Sequence, residues 1–150
     1  MKQTFLLPLY CTAILFASCT DSGEPALREL SVRTTAVRYG DTDTIRFTVG
    51  NSLQAETYVT SCNLRPTFWL QGFQGALWGD LLPINIGPCL DIYQTFIILI
   101  PNKYLSEALP LTTLPKIDDG WYRIKIEHRL SGQDTAYYAY SNMFEIGIIQ

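Results

Sequence analysis

A single histidine, His128, is present in 150 residues, and that scarcity removes much chemistry at once. A histidine general base needs a nucleophile and an orienting carboxylate within reach. No Gly-x-Ser-x-Gly elbow, phosphate-binding glycine loop or His-Glu-x-x-His pattern accompanies this one. Charge is thin as well: 17% of the residues are Asp, Glu, Lys or Arg, with a formal net charge of −3. That leaves no basic stripe for a nucleic acid to bind, and no nucleic-acid partner is expected. Metal ligands are few. Asp41-Thr42-Asp43 and Asp118-Asp119 each offer two carboxylates toward the six to eight oxygens calcium takes, so turn chemistry explains them better. No metal, no cofactor and no enzymatic activity are expected. Helical periodicity is missing too. Beyond residue 26 no segment holds a 3.6-residue apolar repeat for more than one or two turns, which excludes a helix bundle.

The first apolar stretch, Phe5 to Phe16, follows Lys2 and is interrupted by Pro8, Tyr10 and Cys11. It falls well short of the roughly 20 residues of a membrane-spanning helix and suits a signal segment. It ends in Ala17-Ser18-Cys19, small residues just before a cysteine, with Phe16 where leucine is usual. This arrangement resembles a bacterial lipoprotein signal peptide. The resemblance implies removal of residues 1–18, lipidation of Cys19, and a polar tether over residues 19–26. An ordinary secretory signal with an incidental Cys19 is the alternative. Stable anchoring takes more than one acyl chain, each buried methylene contributing about 0.8 kcal/mol. Thr20, rather than aspartate, follows Cys19, and the expected destination is the outer membrane of a cell envelope.

Cys62 and Cys89 are then an even pair in an oxidising compartment and read as one disulfide. A metal site is the competing reading, but it needs more ligands than two cysteines. In the chain-entropy model such a bridge contributes roughly 3–4 kcal/mol.

Residues 27–150 are enough for one core and too few for two ordinary domains. The pattern is of strands. Ile45, Phe47 and Val49 alternate with Arg46 and Thr48, and Thr57 to Cys62 is β-branched and aromatic. Pro83 confines Leu81 to Ile86 to a sheet edge. Ile92 to Ile100 reads as a strand buried on both faces or continuing past its partner, and Lys103 to Leu109 as one or two helical turns. Trp121 to Arg129 alternates most clearly: Tyr122, Ile124, Ile126 and His128 on one side, Arg123, Lys125, Glu127 and Arg129 on the other. His128 shares the inward parity and reads as a structural residue near a strand end. These features predict an all-β, antiparallel sandwich of about seven to nine strands.

Asp118-Asp119-Gly120-Trp121-Tyr122 has the form Asp-x-Gly-x-Tyr and resembles the turn before strand F of immunoglobulin-like domains. The resemblance makes Asp118, Gly120 and Tyr122 a structural corner, with the tyrosine hydroxyl bonded back to the backbone. Ile124 stands where antibody domains place their second cysteine, so the bridge expected here is a different one. Asn51, the run Tyr58 to Cys62, Trp78, Cys89, Gly120 to Arg123 and Ser141 to Ile146 together resemble small bacterial Ig-like domains. Some of these are similar to the intracellular proteinase inhibitor family of bacilli.

The stretch Phe68 to Trp78 concentrates aromatics, and Gly72, Gly75 and Gly79 mark a mobile connection that carries Phe73 and Trp78. Phe73 and Trp78 are its candidate binding-loop residues; a core plug is the other reading for Trp69 and Trp78. The expected function is a lipid-anchored, non-catalytic binding or accessory module, held to the membrane by its N-terminal lipid and meeting an envelope protein or glycan. A protease inhibitor presenting a sandwich loop is the alternative. Mass spectrometry of the mature N-terminus should find acylated Cys19; a free Cys19, or cleavage elsewhere, would contradict the signal reading.

Overall fold

Strict alternation along residues 120–130 produces the strand on which the fold is assembled. A computed structural model describes residues 30–62, 64–84 and 95–147. Cys19, the tether and Cys89 lie outside the described residues. The strands are β1 (Ser31–Thr34), β2 (Arg38–Tyr39), β3 (Thr44–Gly50), β4 (Thr57–Cys62), β5 (Arg65–Pro66) and β6 (Phe68–Gln74). They continue with β7 (Leu77–Ile84), β8 (Thr95–Leu99), β9 (Tyr104–Pro110), β10 (Gly120–Leu130), β11 (Tyr137–Tyr140) and β12 (Phe144–Ile146).

The chain is an all-β sandwich. A small sheet runs β1-β3-β9, and a larger one is built around β10. One edge of β10 pairs with β12 over 120–122 and β11 over 125–128. The other pairs with β6 over 122–126 and β4 over 128–130. β7 extends the sheet beyond β6, β8 extends it beyond β4, and β5 pairs with the end of β4. Pairing is antiparallel except between β2 and β12. Twelve strands exceed the seven to nine expected because β2 and β5 are two-residue pieces and each edge of β10 is covered by two segments in place of one.

The interruptions are chemically patched. Where β11 ends, the Ile124 amide donates to Ser141 Oγ at 2.9 Å, while the Ser141 amide donates to the Ile124 carbonyl at 2.9 Å. A side-chain hydroxyl thus stands in for a ladder carbonyl, and the buried Ile124 amide keeps a partner. The next residue ties the sheets together: the Thr34 amide donates to Asn142 Oδ1, and Asn142 Nδ2 donates to Thr34 Oγ1. Buried Asn51 does similar work at the other end. Its Nδ2 donates to the Ala55 and Leu99 carbonyls, and its Oδ1 accepts from the Leu53 amide.

Ile45, Phe47 and Val49 of β3 meet Phe68 and Leu70 of β6 and Ile124 and Ile126 of β10 in the core. The Phe47 and Phe68 rings touch edge to face at 4.9 Å. Burying each such side chain contributes about 1.5–3 kcal/mol. Gly50 allows a close approach: a Cβ there would lie 2.7 Å from the Tyr104 ring, which would have to shift.

Two expectations are corrected. Lys103 to Leu109 is not helical; Tyr104–Pro110 pairs with β3 over seven positions, from Thr44↔Pro110 to Gly50↔Tyr104. An edge position tolerates the terminal proline, and the neighbouring strand overrides a weak local preference. The second concerns β8, which pairs with β4 alone among the described strands and leaves Ile98 exposed, so it is not buried on both faces.

His128 faces the core from β10, fully buried against Tyr137 at 5.8 Å, with neither ring nitrogen bonded among the described residues. Burial lowers its pKa from the ordinary 6.5 to about 4. The unfolded chain therefore takes up a proton that the native chain resists. Stability is full above about pH 6.5 and falls as the pH drops toward about 4, by at most ~1.4 kcal/mol per pH unit. Urea titrations should show wild type losing more stability over this window than His128→Leu; parallel curves would contradict it.

Candidate binding face

The outward side chains of β10 are Trp121, Arg123, Lys125, Glu127 and Arg129, opposite in parity to the buried Tyr122, Ile124, Ile126 and His128. Pairing sets aromatic neighbours on both sides of them. On β6, Phe68 and Leu70 point into the core, which turns Trp69, Gln71 and Phe73 outward. On β11, buried Ala139 leaves Tyr138 and Tyr140 outward.

The result is a ladder of cations between rings. The Arg123 guanidinium lies 4.3 Å from the Trp78 ring centroid and 4.0 Å from that of Tyr140. Its Nε donates to Gln71 Oε1 at 2.7 Å. Lys125 Nζ lies 5.3 Å from Trp69 and 4.6 Å from Tyr138. Farther along, Arg129 lies 5.5 Å from Phe96 and is 3.8 Å from Glu127. Each such contact contributes about 0.5–2 kcal/mol, more where water is excluded. The face is therefore held rigid by its own side chains, on a strand paired along both edges.

Phe73 and Trp78 are brought together, as partners across the β6–β7 ladder with rings 5.2 Å apart. Their setting corrects the expected mobile loop. Gln74 pairs with Leu77, so Gly75-Ala76 is a two-residue hairpin turn, with Gly75 at a positive φ of 67°. The Ala76 amide donates to the Gln74 carbonyl at 2.7 Å, closing a γ-turn on Gly75, whose positive φ favours glycine. Neither Trp69 nor Trp78 plugs the core; both are half-buried on the outer face, whereas Phe73 is exposed. Sequence reasoning missed Trp121 as part of this surface, whereas its expectation that at least one of Tyr137, Tyr138 and Tyr140 lies at a surface holds for Tyr138 and Tyr140. The signal was there for Trp121, an outward aromatic on the clearest alternating strand.

The remaining site residues lie elsewhere. Tyr122 is buried, and its hydroxyl donates to the Asp118 carbonyl. Its pKa is raised, first by burial and then by the Asp118 and Asp119 charges. Gly120 opens β10 as the partner of Ile146. Cys62 is buried and is not free, while Cys89 is outside the described residues. Among the described residues no group of three or more His, Cys, Asp or Glu is placed to hold a metal ion. The face offers apolar rings and fixed charge, which suit adhesion. No protein family matches the chain, and no curated protein is significantly similar to it.

Tyr122→Phe should cost about 1–3 kcal/mol, because the Asp118 carbonyl loses its donor in a partly buried corner. Denaturant melts measure it, and an unchanged midpoint would contradict a stabilising role for the hydroxyl.

Proposed function

We propose that the protein is a lipid-anchored, non-catalytic module of the bacterial cell envelope, of Ig-like type, which recognises a partner through the outer face of its larger sheet. The observation that carries this reading is the aromatic–cationic ladder ending in the exposed Phe73 ring beside Trp78. Rings at a surface are strong anchors because they offer large, rigid contact area. A surface with several of them in a row is more than the scattered apolar exposure that any protein shows.

The anchor at Cys19 and the outer-membrane destination rest on the signal-like N-terminus. The Ig-like assignment draws support from the sandwich and from the corner bond of Tyr122 to a backbone group four residues upstream. The Cys62–Cys89 bridge rests on the even pair of cysteines beyond the signal-like segment and on the burial of Cys62. No observation favours the inhibitor alternative. A substrate-like inhibitor needs an extended, braced loop, and the aromatic segment is instead a ladder-paired hairpin closed by two residues.

Phe73→Ala tests the reading. The full chain, immobilised with its anchor intact, should lose capture of its envelope partner while its melting temperature stays within about 2 °C, as a surface substitution usually allows. Unchanged capture, or a large loss of stability that places Phe73 in the core, would remove the face as the site.

A further inference from the structure

We infer that the cleft between the end of the β6–β7 hairpin and residues 115–119 is a carbohydrate site, taking a neutral pyranose of a glycan. The inference rests on the proposed recognition role and names the chemistry of its ligand. The cleft has a volume of about 460 Å³ and is lined by Gly72, Phe73 and Gln74 on one side and by residues 115–122 on the other. That size falls in the range of about 300–1,000 Å³ typical of small-ligand sites.

Two aromatic rings border it. Phe73 is 47% exposed and Trp121 is 48% exposed. Each is one position beyond the Tyr122↔Gly72 pair, Phe73 on β6 and Trp121 on β10, so they are outward neighbours on adjacent strands. Flat rings at the surface suit the C–H face of a sugar, which is apolar. The polar lining suits its rim. The Asp118 and Asp119 carboxylates and the Gln74 amide make no hydrogen bond or ion pair among the described residues. Carboxylates only accept, Lys116 on the same segment only donates, and an amide does both. Hydroxyls, which donate and accept in turn, match such a mixed set better than a ligand of one sign does.

The site is also prepared in advance. Trp121 belongs to β10, and the Tyr122 hydroxyl ties down the backbone at Asp118. Ordering cost on binding is correspondingly small. An extended peptide has no free backbone to pair with at this point of β10, because β12 occupies one edge of Tyr122 and β6 the other. Strand addition, the usual mode for extended peptides at a sheet, is closed there.

The test uses the full chain in a detergent without sugar head groups. It is applied to a printed set of neutral hexose and N-acetylhexosamine oligosaccharides, with an oligolysine peptide as a separate arm. Saturable binding to at least one oligosaccharide is expected. Trp121→Ala should weaken it at least tenfold, and Gln74→Ala, at an exposed position, several-fold, with the fold of each variant checked by its thermal melt. If Trp121→Ala does not fold, Gln74→Ala and Asp118→Asn carry the test. Binding to no oligosaccharide, binding that the folded variants leave unchanged, or binding to oligolysine alone overturns the inference. Loss of envelope capture by Phe73→Ala alongside a blank oligosaccharide set would overturn this inference alone and leave the recognition face standing.

Discussion

Everything in the larger sheet depends on the double-edged pairing of β10. Its amides and carbonyls are taken by β12 and β11 along one side and by β6 and β4 along the other. A strand in that position cannot slip by one residue. A slip would turn Tyr122, Ile124, Ile126 and His128 to solvent and drive Arg123, Lys125 and Glu127 into the core. Burying those charges unpaired would cost several kcal/mol each. Register is thus fixed by the same alternation that separates core from surface. The four partners inherit their own facing from it.

The outer face follows from that register. Long cationic side chains on β10 find ring faces on β6, β7 and β11 because cross-strand neighbours stand about 5 Å apart and diagonal ones about 7–8 Å. Arg123 bridges Trp78 and Tyr140, and Lys125 bridges Trp69 and Tyr138. The stems of these cations cover indole and phenol surface that would otherwise lie bare, as amphipathic side chains do. The most exposed rings of the face, Phe73 and Trp121, lie at one end of it beside the cleft. Stability and recognition are thereby divided along one strand: its inner side makes the core, the middle of its outer side locks the sheet, and its first outward residue is left for contact.

Much of this was legible. The alternation in β3 and β10 gave both facing and class, and the proline at position 83 marked an edge that β7 does occupy. The failures have local causes. Lys103 to Leu109 has a composition that a helix would accept, and only the unpaired edge of β3 makes it a strand. Ile97 and Ile98 are apolar enough to suggest two buried faces, yet β8 sits at the side of β4, where one face remains open. The glycines around Phe73 read as flexibility, whereas Gly75 supplies the one positive φ that a tight hairpin needs. The cation–ring ladder was hidden for a different reason. Its members come from five strands, and nothing local in Trp69, Arg123 or Tyr140 says that they meet.

Native-state hydrogen exchange tests the central role of β10 most directly. If β10 is the element on which the larger sheet is assembled, the amides of Ile124 and Ile126 exchange only by global opening. Their exchange free energies then equal the unfolding free energy from denaturant and exceed those of the edge strands β7 and β8. Ile124 and Ile126 amides that exchange through a lower-energy local opening, no slower than those of β7 or β8, would contradict the account.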